Sequence, residues 1–337
     1  MGINAYKGSG EKSGGQCEKK GVVSMLVMIV KRLVQLIFLL IGITFIVFMA
    51  MHIAPGDPAT IIGGPTATKS DILAIHQRLG LDKPILVQYL DYINGVIHGD
   101  LGFSFQTNRS VAEEIAIRLP NTINLAIASI IVAIIIGVTA GIISALKQNS
   151  WLDFLSTTVS LGGISIPNFW LGAMLILIFA VNLQWLPVGG LDAPLWTMGG
   201  LKQIILPALT LGTGSAAMIA RMSRSSMLEI IRADFVRTAR AKGVKERVVI
   251  WVHCLRNALI PVITVIGLNF GGLLGGTIIT EQVFAINGVG RLMVESIASR
   301  DFPMVQGGVL LIAFIFVVVN LLVDIVYVLI DPRIKFE

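Results

Sequence analysis

The sequence predicts an all-α membrane protein with six transmembrane helices and both termini in the cytoplasm. Three observations carry that prediction. Hydrophobic residues make up 55% of the 337 and charged ones only 14%, where a soluble domain carries about 25% charged residues. A core of one domain's size cannot hide that apolar surplus from water. The apolar residues gather in six long runs, and the bases gather in alternate segments between them. A disordered chain and an ordinary soluble enzyme are thereby excluded. The net charge of +6 is no nucleic-acid footprint, because Lys and Arg beside apolar runs report membrane orientation.

Residues 1–24 are polar and Gly/Ser/Lys-rich, which predicts a flexible cytoplasmic tail. Met25 offers an alternative start, in which case the tail would be non-native. The segment 25–53 holds the first span. Its apolar run, Leu33–Ile53, is 21 residues without an acid, Lys or Arg, too long for a signal peptide and without a small-residue cleavage site. At about 1.5 Å per residue it crosses a hydrocarbon layer of about 30 Å.

Residues 54–119 differ in kind, with seven acids, five bases and prolines at 55, 58, 65 and 84. They predict an extracytoplasmic helical subdomain. Ser70 is the expected cap of a helix running to Leu79 and stopped by Gly80. Ser110 and Glu113 have the spacing of a capping box that opens a last helix ending at Pro120.

The remainder, 120–337, predicts a core of five spans at about 121–145, 151–183, 203–222, 257–280 and 305–330. The third run is 33 residues long with Pro167 near its middle, which fits one kinked or broken helix better than two crossings. With the N-terminus inside, eighteen of the 26 bases fall on cytoplasmic segments, as the positive-inside rule requires.

The cytoplasmic loop 223–256 is too long and too patterned for a connector. Met227, Leu228, Ile231, Phe235 and Ala239 recur at helical spacing, with Arg232, Arg237, Arg240, Lys242 and Lys245 between them. Two short amphipathic helices breaking near Gly243 would either lie on anionic lipid or dock a cytoplasmic partner. In the spans, Gly137…Gly141, Gly271…Gly275 and Gly272…Gly276 are spaced for close helix packing, within the chain or at a seam with another subunit. Polar groups deep in spans are expensive and often functional. Asn269, Asn320 and Asp324 are accordingly candidates for a translocation path or gate; Asp324 could instead pair with Lys31, Arg32 or Arg256. Glu281 closes span five on the outer side, within reach of Arg291 or of a docked protein.

Chemistry is sparse. Cys17 and Cys254 read as free thiols, and His52, His76, His98 and His253 share no helical face, so no metal site follows. There is no phosphate-binding G-x-x-x-x-G-K-[ST], nor a Ser/His/Asp or H-E-x-x-H constellation.

The stretch Asp234-Phe235-Val236-Arg237-Thr238-Ala239-Arg240-Ala241-Lys242-Gly243 resembles the coupling loop of ABC-importer permeases of the dipeptide/oligopeptide/nickel family. Leu255-Arg256-Asn257-Ala258-Leu259-Ile260-Pro261 continues the resemblance. So do APGDP at 54–58, LGLDKPILVQYL at 79–90, GDLGFS at 99–104, SIPNFW at 165–170, RDFP at 300–303 and DPR at 331–333. The resemblance covers residues 25–337, and its order is similar to that of the first of the family's two permeases. Two departures stand out. Arg237-Thr238-Ala239 replaces the broad family's Glu-Ala-Ala, and Asn287-Gly288 replaces an outer Pro-Gly, a turn that Asn-Gly would keep by tolerating positive φ.

The resemblance implies a type I importer fold in a prokaryotic cytoplasmic membrane and a permease without catalysis of its own. Its partners would be a second homologous permease, two cytoplasmic ATPases that bind ATP and Mg, and an extracytoplasmic substrate-binding protein, with no nucleic acid. Phe235 and Val236 would anchor the loop in an ATPase groove, Arg237 and Arg240 would form its rim, and Gly243 its exit. The implied cargo is a di- or oligopeptide, or else a nickel complex or another small solute. An ion-coupled secondary transporter is the competing class, but it predicts inverted repeats and midplane charge, and neither is visible in the sequence.

Overall fold

The computed structural model describes residues 11–53, 57–64 and 66–330, which are helical throughout apart from connecting turns and an isolated bridge between Phe103 and Ser110. Helix α1, Glu11–Ile53, is followed by three short helices: α2, Pro58–Gly63; α3, Lys69–Leu79; and α4, Ile85–Ile97. The long α5, Val111–Leu146, leads to α6, Trp151–Ser165, and α7, Asn168–Leu175, which ends in a π-helical turn, Ile176–Asn182. Then come α8, Met198–Ile231, and the short α9, Asp234–Ala241. The single turn α10, Glu246–Val248, passes through a second π-helical turn, Val249–Cys254, into α11, Leu255–Val283. Helices α12, Val289–Ala298, and α13, Phe302–Ile330, close the chain.

Among the described residues five helices are long and apolar enough to cross a membrane, and α6 with α7 and its π-helical turn, bent by 107° at their junction, make six if that pair is counted as one span. The bend falls at Ile166-Pro167, where the proline sits as the N-cap of α7 with extended backbone; a ring without an N–H stops the ladder of α6 there. The excess length of the third apolar run is thus absorbed in a break.

Several local expectations are corrected. Residues 11–24, expected to be a flexible tail, are continuous with the helix of the first span; residues 1–10 lie outside the described residues. The helix expected to stop at Pro120 instead runs on, so 111–119 is the first part of span two rather than of a separate subdomain. Ser110 makes no side-chain capping bond; the entry to α5 is held instead by the Ser104 N–H to the Arg109 carbonyl and the Val111 N–H to the Gly102 carbonyl. The capping box of α3 is Thr68 with Asp71, two residues before the expected Ser70. Its stop at Gly80, in the left-handed region at φ +67, is as expected.

The core is a three-helix seam of α5, α8 and α11. A Cβ on Gly137 would lie 2.6 Å from the Ala216 carbonyl oxygen, and one on Gly141 would lie 2.5 Å from that of Ala220. These glycines therefore bring α5 and α8 backbones together inside one subunit. Leu125, Ala133, Leu206, Leu211, Ile219 and Val262 fill the seam. Helix α11 behaves differently. Leu268, Gly272, Gly275 and Ile279 fall on one exposed face, and a side chain at Gly272 or Gly275 would meet no atom of this chain within 4 Å.

Candidate functional site

At one end of the bundle the chain leaves α8 at Ile231, turns, and forms α9 flat against the ends of the long helices. The turns of α9 put Val236 on one side and Phe235 on the other, since neighbouring residues in a helix point about 100° apart. Val236 is fully buried among Ile142 and Ala145 of α5, Met227 of α8, Val249 and Cys254 of the π-helical turn, and Ala258 of α11. Phe235 remains 45% exposed. The two residues expected as paired anchors are thus split: Val236 fastens α9 to its own subunit, and only Phe235 faces outward.

Asp234, Arg237, Thr238, Arg240 and Ala241 are exposed around Phe235, while Ala239 is half-buried and packs with the Val236 cluster. Arg237 approaches Asp234 only to 3.9 Å. Arg240 instead donates to Glu246 from Nε at 3.1 Å and from Nη2 at 2.7 Å. That two-pronged bond spans the turn at Gly243, whose φ of +77 lies in the left-handed region. It fixes the angle between α9 and α10.

A second fastening lies just behind α9 and is not signalled by any motif. Arg224 of α8 donates to Asp153 of α6 from Nε at 2.8 Å and from Nη2 at 2.9 Å. The Ser144 hydroxyl and the Asn149 amide also donate to Asp153, so the buried carboxylate has donors on both oxygens, while Ser150 Oγ caps α6 by accepting from the Asp153 N–H. Three spans, α5, α6 and α8, are joined there. Only the location of Asp153 in the first turn of a helix, where a carboxylate is favoured, hints at it in the sequence.

The opposite end carries a clamp of its own. Glu281, in the last turn of α11, is fully buried. It accepts hydrogen bonds from the Thr122 hydroxyl of α5 at 2.7 Å and from the Arg291 backbone N–H at 2.8 Å. Thr122 Oγ1 in turn accepts from the Val289 N–H at 2.9 Å. The open N–H groups of α12's first turn are therefore satisfied by α5 and α11 rather than by a local cap. The expected meeting of Glu281 with Arg291 is real but runs through the backbone, since the Arg291 guanidinium bonds Glu295. Burial also removes Glu281 from any surface that a docked protein could touch.

The Asn287-Gly288 turn is corrected as well. The left-handed residue is Ala285 at φ +52, whereas Gly288 has φ −112. Glycine is needed at 288 because a Cβ would lie 2.3 Å from the Glu281 carboxyl carbon. Asn287 accepts from Arg118 Nε through its side chain and from Asn121 Nδ2 through its carbonyl, both at 3.0 Å. Nearby, buried Asp301 accepts from the Ser104 hydroxyl and from the Phe105 amide at 3.1 Å, which joins the GDLGFS loop to the start of α13.

The polar residues of the spans are not brought together. Asn269 donates to the Val265 carbonyl and Asn320 to the Phe316 carbonyl of their own helices, each at 2.8 Å. Asn320 faces α11 at Gly271. The side chain of Asp324 and the DPR of 331–333 lie outside the described residues. No group of three His, Cys, Asp or Glu able to hold a metal occurs among the described residues.

Residues 137–336 match the family described as binding-protein-dependent transport system inner membrane component, and residues 25–126 match that family's N-terminal membrane component. The dipeptide transport system permease protein DppB of Alkalihalophilus pseudofirmus is 48% identical over 93% of this chain and 100% of its own length. The glutathione transport system permease protein GsiC of Escherichia coli is 46% identical, again over 93% and 100%. Among solved structures, an inward-facing MetNI methionine ABC transporter chain aligns with a TM-score of 0.54 at 18% identity, covering 65% of this chain and 96% of that one, a likeness of fold.

Proposed function

The chain belongs to the inner-membrane components of binding-protein-dependent transport systems and is the permease subunit of an ABC importer, and on that premise we propose that its cargo is a di- or oligopeptide. It performs no chemistry; separate ATPases hydrolyse ATP. Both relatives named above move small peptides by their names, one dipeptides and the other glutathione, and this supports a peptide cargo over a nickel complex.

In this reading the subunit sits in a prokaryotic cytoplasmic membrane with both termini inside. It pairs with a second, homologous permease through the open face of α11, where Gly272 and Gly275 leave room for a neighbouring backbone. A substrate-binding protein docks on the end that carries α2–α4 and α12, and two ATPases holding ATP and Mg sit at the end that carries α9.

The observation that carries the coupling role is the division of α9. Phe235 and Arg237 are presented outward, while Val236 packs the helix against α5, α8 and α11 and the Arg240–Glu246 pair ties it to α10. A push on Phe235 therefore moves three spans as one body, in the manner of rigid-body switching. Asn269 and Asn320 remain candidates for the path, on helices that the push would shift.

The experiment is uptake by proteoliposomes holding the full transporter and its binding protein. Accumulation of labelled dipeptide or tripeptide that needs hydrolysable ATP, and is not competed by a nickel chelate, is the expected result. Nickel-complex uptake without peptide uptake, or uptake driven by an ion gradient with the ATPases absent, would contradict the proposal.

A further inference from the structure

Helix α4 has a third side that the importer reading does not use. Around its axis, Tyr89 and Tyr92 face α1, while Gln88 and Asp91 border an open cavity of about 1070 Å³ lined by α1, α3, α4, the 100–108 loop and the start of α13. The remaining side holds Leu86 at 69% exposure, Leu90 at 64% and Ile97 at 75%, with Ile93 between them. Those positions are spaced i, i+4, i+7 and i+11, which is one stripe of a helix. An apolar stripe this open is unusual in water.

The depth of α4 identifies what covers it. The Tyr89 hydroxyl donates to the Ile41 carbonyl at 3.1 Å and lies 3.0 Å from the Thr44 hydroxyl. Its ring packs edge-on against Phe45 and Phe48, with centroids 5.3 and 5.4 Å away. Ile41 is twelve residues inward from Ile53, the last residue of α1, and at the midpoint of the apolar span Val30–Ile53. Twelve residues of helix are about 18 Å, and Phe48 is still about 8 Å inward. A helix beside those residues is below the surface of the bilayer that α1 crosses. Phe38, Ile41 and Phe45 on the same flank of α1 are exposed as well, so the stripe of α4 continues the lipid-facing surface of a span.

We propose that α4 is a membrane-embedded helix, seated in one leaflet against the outer half of α1, with Leu86, Leu90, Ile93 and Ile97 in contact with lipid acyl chains. Gln88 and Asp91 remain on the wet side, and the Lys83–Asp91 ion pair at 2.7 Å marks the headgroup level. A helix of thirteen residues is too short to cross but suits an interfacial position, in which the apolar face sinks roughly 5–10 Å below the headgroups. Residues 54–119 are then tethered to the bilayer at two places, the end of α1 and α4, instead of standing free in water.

Site-directed spin labelling tests this in the complete transporter in liposomes, with Cys17 and Cys254 replaced by Ser and Ala. Labels at Leu86→Cys and Leu90→Cys are expected to collide several-fold more with oxygen, which partitions into lipid, than with water-soluble chromium oxalate. A label at Asp91→Cys, on the side that faces the cavity, should show the reverse preference. Preference for chromium oxalate at 86 and 90 would overturn the proposal in favour of an aqueous face. Shielding from both relaxants at 86 and 90 would overturn it in favour of a protein partner.

Discussion

Replacing Glu281 with Gln perturbs the clamp at α12 with almost no change of shape. The carboxylate accepts from the Thr122 hydroxyl and from the Arg291 amide, and Gly288 and Gly290 press the turn against it. A glutamine of the same volume keeps one acceptor oxygen and turns its NH₂ toward a second donor. At least one hydrogen bond to a charged acceptor is lost, about 1.5–3 kcal/mol. An N–H in the first turn of α12 is also left open inside the protein, so local opening of α12 should become about 2–3 kcal/mol easier. Hydrogen exchange reads this directly as an acceleration of about 30- to 150-fold at the amides of 289–291. The control is Arg291→Gln. Its guanidinium reaches only Glu295 on the helix surface, a pair worth about 0.5 kcal/mol or less. Unchanged exchange in Glu281→Gln, or equal acceleration in the control, would refute the clamp.

Other predictions concern the bundle and its fastenings. Gly141→Ala should destabilise the α5–α8 seam by about 1–3 kcal/mol through overpacking against the Ala220 carbonyl, read as a lower melting temperature in detergent. Gly275→Ala, which meets no atom of its own chain, should leave that temperature unchanged and weaken association with the second permease. Arg224→Met strands the Asp153 carboxylate, at an expected cost of about 3–5 kcal/mol, and Asp153→Asn in the same chain should recover most of it. No recovery would mean that the knot is held by something other than charge pairing.

Much of this fold is legible in the sequence because bilayer thickness imposes its own period. Runs of twenty or more apolar residues must be spans, and Pro167 announces the break in the third. The stop of α3 at Gly80 is legible for a local reason, a glycine free to take positive φ. What is not legible depends on contacts between distant segments. Pro120 looks like a terminator, yet α5 continues through it because both sides of the proline are packed. The Asn-Gly turn suggests a left-handed pair, but the glycine is there to make space for Glu281, 7 residues away in sequence and folded back against it. Asp153, Arg224 and Ser144 carry no motif at all, since their meeting depends on how three spans are arranged. In α9, spacing marks a ridge but not which side of it is already occupied, so Val236 and Phe235 are separable only in the folded chain.

The central claim is that α9 passes the ATPase's movement to the spans through Phe235. About half of a ring that buries roughly 200 Å² is open, so its burial in a partner groove would contribute about 2 kcal/mol. The direct measurement is the affinity of the purified ATPases for the permease pair in nanodiscs, wild type against Phe235→Ala. The account predicts binding about 30-fold weaker, with ATP-driven uptake reduced and the melting temperature of the permease unchanged. Equal affinity and equal uptake in the two proteins would contradict it.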